Sequence, residues 1–101
     1  MKLLIITAVT GYLNDVKHIL KKAEVKSYSY KEVNGYTNAS ETAMDSNWFG
    51  GDIDENESVL FYAFVPKANV DKVFDAINSF NAKQETLSHI HVAIVNIEKS
   101  N

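Results

Sequence analysis

The 101-residue sequence predicts an α+β sandwich of βαββαβ order, in which a four-stranded antiparallel sheet carries two helices on one face. Three observations carry that expectation. Apolar runs of strand length alternate with two stretches of helical periodicity. No linker, repeat or low-complexity tract interrupts them, so residues 1–101 are expected to form one domain. Hydrophobic residues make up 46% of the chain, enough for a real but modest core.

Residues 2–9 form a continuous apolar run rich in β-branched side chains, closed by Gly11. Over residues 12–23 the spacing becomes helical. Leu13, Val16, Ile19, Leu20 and Ala23 share a face, while Asn14, Lys17, His18, Lys21 and Lys22 look outward. Residues 26–33 alternate, with Tyr28 and Tyr30 on one side and Ser27 and Ser29 on the other, as suits a partly exposed strand. A second buried strand spans 58–65 and stops at Pro66. Asn69 is then placed to cap a helix whose apolar residues Val70, Val73, Phe74, Ile77 and Phe80 recur at helical spacing. The last strand covers 88–97.

This order makes both crossovers right-handed, so both helices cover the same face of the sheet. The other face is apolar as well. Leu3 and Ile5 oppose Leu4 and Ile6, and Leu60, Tyr62 and Phe64 oppose Val59, Phe61, Ala63 and Val65. A sheet apolar on both faces, with helices for only one, needs a further surface, and self-association supplies it most simply.

The formal net charge is −3, but residues 37–57 hold six acids and no Lys or Arg, which leaves the rest of the chain at +3. No basic stripe with interleaved aromatics is present, which argues against a nucleic-acid partner. The apolar opening run is too short to span a bilayer and no A-x-A-like cleavage site follows it. The expectation is therefore a cytoplasmic protein without membrane insertion. The chain has no cysteine, which removes disulfides and thiolate metal sites.

In an ordinary ferredoxin-like domain the hairpin between the second and third strands is short. Here some two dozen residues, 34–57, intervene. Long connections of this kind are usually functional or disordered. This one is acidic, through Asp45, Asp52 and Asp54 among others, and carries Trp48-Phe49 followed by Gly50-Gly51. An aromatic pair on an acidic loop reads as a partner-binding anchor; the ordinary alternative is that the pair tucks against the body of the oligomer.

Catalytic constellations are missing from the sequence. No Ser/His/Asp or Cys/His arrangement is detectable, and the expectation is a binding protein, not an enzyme. His18 falls on the solvated helix face. His89 and His91, two apart on the last expected strand, would share a face and supply half of a Zn²⁺ or Cu²⁺ site. As ordinary edge or interface histidines they would need no metal. Residues 52–57 offer oxygen ligands without the order of a calcium loop, and Gly50-Gly51 is not part of a phosphate loop.

Several stretches together resemble the PII-like signalling proteins. Residues 14–22, NDVKHILKK, are similar to the family's LDDVKEAL helix, and residues 31–36, KEVNGY, to its TEVKGFG strand end before the long T-loop. Residues 59–66 followed by NVDKV at 69–73 are similar to IEIVVPDELVDKVV, and HIHV at 89–92 stands where the family has GKIFV. The resemblance covers nearly the whole chain in the right order. It implies a homotrimer whose sheets line the centre, an effector cleft between subunits near Gly35, Pro66 and His89, and a T-loop-like insertion that contacts a regulated transporter or enzyme. An adenine nucleotide is the effector it implies, with a divalent metal ion as the other candidate. The sequence departs from the family's nucleotide-binding pattern: in place of TGKIGDGK stands KQETLSH at 83–89, and the chain has no arginine. A triphosphate needs several cations and backbone N–H groups, so ATP sensing coupled to 2-oxoglutarate is disfavoured. The competing reading is a heavy-metal binding or tolerance protein, similar in architecture to the CutA-type trimers, with His89 and His91 as ligands. A small ferredoxin-like enzyme using His89 as a base ranks last.

Overall fold

The computed structural model describes residues 1–36 and 55–101. The elements follow the expected order: β1 (Lys2–Val9), α1 (Leu13–Lys22), β2 (Ser29–Tyr36), β3 (Glu55–Val65), α2 (Lys67–Ala82) and β4 (His91–Asn96), with a 3-10 turn at Thr10–Tyr12 leading into α1. The strands form one antiparallel sheet in the order β2-β3-β1-β4. This is the ferredoxin-like arrangement expected from the sequence.

Both helices lie on one face. Leu4, Ile6 and Ala8 of β1 and Val59, Phe61, Ala63 and Val65 of β3 are buried against Val16, Ile19 and Leu20 of α1 and Val70, Val73 and Ile77 of α2. The registers place the intervening residues on the opposite face. There Leu3 stands between Phe64 and Val95, and Ile5 between Tyr62 and Ala93. That face is open: Phe64 is 56% exposed, Tyr62 46% and Val95 40%. The two-faced apolar sheet expected from the sequence is therefore real, and its second face has no covering among the described residues.

Several boundaries differ from expectation. Strand β2 runs on to Tyr36 and β3 starts at Glu55, so residues 34–36 and 55–57, expected in the long connection, pair as strand and shorten it to 37–54. The second strand starts at Ser29, not at residue 26. Tyr28 and Tyr30 do share the helix-side face, with their rings 5.7 and 5.2 Å from that of Phe61. Residues 24 and 25 serve the end of α1 instead: the Val25 amide donates to Leu20 O at 2.9 Å and the Glu24 amide to Lys21 O at 3.1 Å. Helix α2 begins at Lys67, with Pro66 in the N-cap position at φ −57°. Asn69 is thus inside the first turn, and its side chain donates to Ala23 O at 3.1 Å, tying α2 to the end of α1. Phe74, expected in the core, is 37% exposed at the margin of α2, whereas Phe80 packs edge-on against Tyr12 with ring centroids 5.0 Å apart. The last strand starts at His91, so His89 precedes it.

Glu24 closes α1 in the left-handed region, at φ 63°. A side chain costs roughly 1 kcal/mol there, which is why glycine usually holds this position. The carboxylate's ion pair with Lys72, 3.7 Å and largely exposed, offsets little of that. Glu24→Gly is expected to stabilise the fold by about 1 kcal/mol. A higher urea midpoint at unchanged slope would show it; a lower midpoint would mean that the ion pair matters more than the strain.

Candidate functional site

The sequence pointed to Gly35, Pro66 and His89, and the fold places them at two ends of the sheet. Gly35 is buried near the end of β2, opposite Asn56 at the start of β3. Pro66 follows the other end of β3, roughly 30 Å away at 3.3 Å per strand residue. His89 is half-buried just before β4. Because His91 pairs with Thr7, the chain before it lies toward the end of the sheet that holds Gly35. One chain alone therefore does not bring the three together.

Each end has its own hollow. Beside Gly35, a polar hollow of about 210 Å³ is lined by Thr10, Glu32, Asn34, Glu57 and Ser58. Two carboxylates make it a poor seat for a phosphate, whose charge they would oppose. Beside Pro66, a hollow of about 410 Å³ is lined by apolar Val25, Phe64, Val65 and Pro66 and by polar Glu24, Lys26, Ser27 and Asn69. A flat apolar ring suits the apolar part of that lining, while Lys26 and Glu24 act on an anionic group with opposite signs. Neither hollow was legible from spacing, since each joins residues from separate elements.

The segment between α2 and β4, where the family resemblance places a phosphate loop, is anchored to the body. The Ile90 amide donates to Asn81 Oδ1 and the Asn81 side-chain amide donates to Ile90 O, both at 2.8 Å. Asn81 thereby acts as a strand partner for a residue outside the sheet, and Ile90 is only 2% exposed. The Tyr12 hydroxyl adds a 3.3 Å bond to Ser88 O and lies 3.3 Å from Thr86 Oγ1. Nothing in the spacing of Asn81 distinguished it from a solvated helix residue.

The metal expectation loses its geometric basis. His89 is not on the strand, so the shared-face argument does not apply to the pair. Among the described residues no three His, Asp or Glu side chains gather as a ligand set. The partner-loop residues Asp45, Trp48, Phe49, Asp52 and Asp54, like the rest of 37–54, lie outside the described residues. No described helix is long and apolar enough to cross a membrane.

No protein-family model and no curated protein matches this chain. Solved structures do. One is CPII, a nitrogen regulatory PII-like protein from Thiomonas intermedia K12, bound to ADP, AMP and bicarbonate. It is 17% identical, covers 97% of this chain and 94% of its own, and superposes with a TM-score of 0.61. Another is a DUF3240 family protein from Shewanella baltica OS155, 15% identical over 99% of this chain and 92% of its own, with a TM-score of 0.67. At these identities the likeness establishes the fold, and that fold is the PII-like one to which the sequence motifs pointed.

Proposed function

We propose that the chain is a PII-like regulator, a binding module and not a catalyst. It works as a cytoplasmic homotrimer that senses a small effector and passes its occupancy to a partner, a transporter or an enzyme. The observation that carries this reading is the open sheet face. Leu3, Ile5, Leu60, Tyr62, Phe64, Ala93 and Val95 make it apolar across three strands, and a trimer with its sheets inward covers it.

Trimer formation also answers the split site. A cleft between copies can join the Gly35 and His89 end of one chain to the Pro66 end of the next, which one chain cannot do alone. The likeness to CPII, a protein bound to ADP and AMP, supports an adenine nucleotide as effector. The residues fit it in part. Phe64 and Pro66 offer a wall for the purine ring, and Lys26 offsets a single phosphate against the Glu24 carboxylate of the same hollow. Without arginine, and with Glu32 and Glu57 at the other end, more phosphates meet poorer compensation. AMP or ADP is therefore the better match than ATP. The effector acts by binding one state of the partner-contacting segment more tightly than the other, and residues 37–54 between β2 and β3, with their acids and Trp48-Phe49, are that segment.

Native mass spectrometry with an equimolar mixture of AMP, ADP and ATP tests both halves. A three-copy mass retaining AMP or ADP is expected. A monomer at micromolar concentration would overturn the assembly, and a trimer that retains no nucleotide would overturn the effector.

A further inference from the structure

A third hollow adjoins the Pro66 hollow, with which it shares Glu24, Val25 and Lys26, and lies apart from the open sheet face. It runs between α1 and the segment that leads from α1 to β2, an open groove of about 710 Å³. Lys17 and Lys21, one turn apart on α1, form one wall, and Lys26 stands on the other. Val25, 8% exposed, and half-buried Tyr28 form an apolar floor between them. Among the described residues the only carboxylate along it is Glu24, which faces Lys72 of α2 at 3.7 Å.

Solvation alone would explain three lysines on a helix and a loop. Two further features go beyond that. Lys17 is not a free surface side chain: its ammonium donates to the Tyr30 hydroxyl at 3.1 Å and lies 4.6 Å from the centre of that ring. Part of the entropy that a long side chain loses on binding has therefore been lost already. The charge also has the opposite sign to the chain's, since the protein carries −3 overall while this groove is lined by an excess of cations.

We propose that this groove is a docking site for an acidic segment of a partner protein, with carboxylates along Lys17, Lys21 and Lys26 and one apolar side chain on Val25 and Tyr28. The row of cations favours an extended polyanion over a single phosphate. Lysines are point charges without the planar fork that clasps one phosphate bidentately, and here they are strung along a groove and not gathered at one spot. The apolar floor adds a requirement that a plain polyanion does not meet. Such a site steers its ligand electrostatically, binds with modest affinity and weakens with salt.

The test uses the intact protein and a fluorescein-labelled twelve-residue peptide of Glu and Asp with one central Trp, followed by anisotropy and by amide chemical shifts. Shifts are expected at residues 17–28. The double variant Lys17→Glu/Lys21→Glu is expected to raise the Kd at least tenfold, and Lys21→Ala alone about threefold. The double variant Lys67→Glu/Lys99→Glu, which makes the same charge change elsewhere, should change it less than twofold. Replacing the peptide's Trp by Ser should weaken binding severalfold. Equal loss in both double variants would reduce the effect to net charge and overturn the site. So would shifts that map elsewhere, or no binding of the wild-type protein. Lys17 and Lys21 line this groove and not the Pro66 hollow, so the Lys17→Glu/Lys21→Glu variant should lose the peptide while nucleotide retention and the three-copy mass stay unchanged, and this site and the effector reading are tested separately.

Discussion

Replacing Tyr62 and Phe64 together, one by lysine and the other by glutamate, is expected to convert the assembled protein to monomers at micromolar concentration. Both side chains project from β3 onto the face without helices, at 46% and 56% exposure in the single chain. Each stands beside an apolar partner of β1, Tyr62 by Ile5 and Phe64 by Leu3. Fully withdrawing an aromatic side chain of this size from water contributes about 1.5–3 kcal/mol, and since each is already about half covered in the single chain, the double variant forfeits about half of that at each position. A loss of about 2 kcal/mol per chain weakens association roughly thirtyfold, and the cost of placing charges in an apolar interface adds to it. The fold of each chain should survive, because neither residue belongs to the core between sheet and helices. Sedimentation velocity gives the mass and far-ultraviolet circular dichroism the integrity of the chain. Phe74→Glu is the control: Phe74 is exposed too, but it lies on α2, away from this face, and its substitution should leave the mass unchanged. A double variant that keeps the wild-type mass would place the interface elsewhere and remove the main support for the regulatory reading.

The residues that made the fold legible were those whose role is set by periodicity. The two-residue repeat of Val59, Phe61, Ala63 and Val65 and the helical repeat of Val16, Ile19 and Leu20 assign a core face without knowledge of any partner, and all seven are buried. The open face was legible for the same reason, as the complement of the first. Boundaries were less so, because they depend on a competition that one-dimensional patterns do not contain. Asn69 has the chemistry of a cap, but Pro66 with its fixed φ opens the helix earlier, and the Asn69 amide finds Ala23 O instead. Glu24 holds a glycine's position, so the end of α1 and the late start of β2 carried no glycine signal. The last strand begins at His91, three residues later than its apolar pattern suggests, so His89 and His91 do not share a strand face. The hollows, the Asn81 clip and the lysine groove are products of tertiary packing. They join residues from different elements, as Lys17 and Tyr30 do across α1 and β2.

Phe61→Ala is expected to cost about 3–5 kcal/mol, the largest effect of any single substitution in the described core. Phe61 is the largest side chain in the fully buried set. It lies on β3, a central strand of the sheet, directly opposite Ile6 of β1 and Tyr30 of β2. The loss has three parts. The ring leaves the interior, a cavity remains beneath α1, and Tyr28 and Tyr30 lose the ring against which both pack. The last part reaches beyond stability. Tyr30 holds the Lys17 ammonium, so a ring that no longer rests on Phe61 no longer fixes one wall of the lysine groove. Domains of about this size have roughly 5–15 kcal/mol in hand, so the substitution should lower Tm by about 15–30 °C without abolishing folding in every solution condition. Phe61→Leu, which keeps most of the volume, should cost less than half as much, and the difference between the two measures the cavity. A Phe61→Ala loss below about 1 kcal/mol would mean that Tyr28 and Tyr30 collapse into the space. Their rings would then have to leave the β2 edge, and acidic-peptide affinity would fall while stability did not.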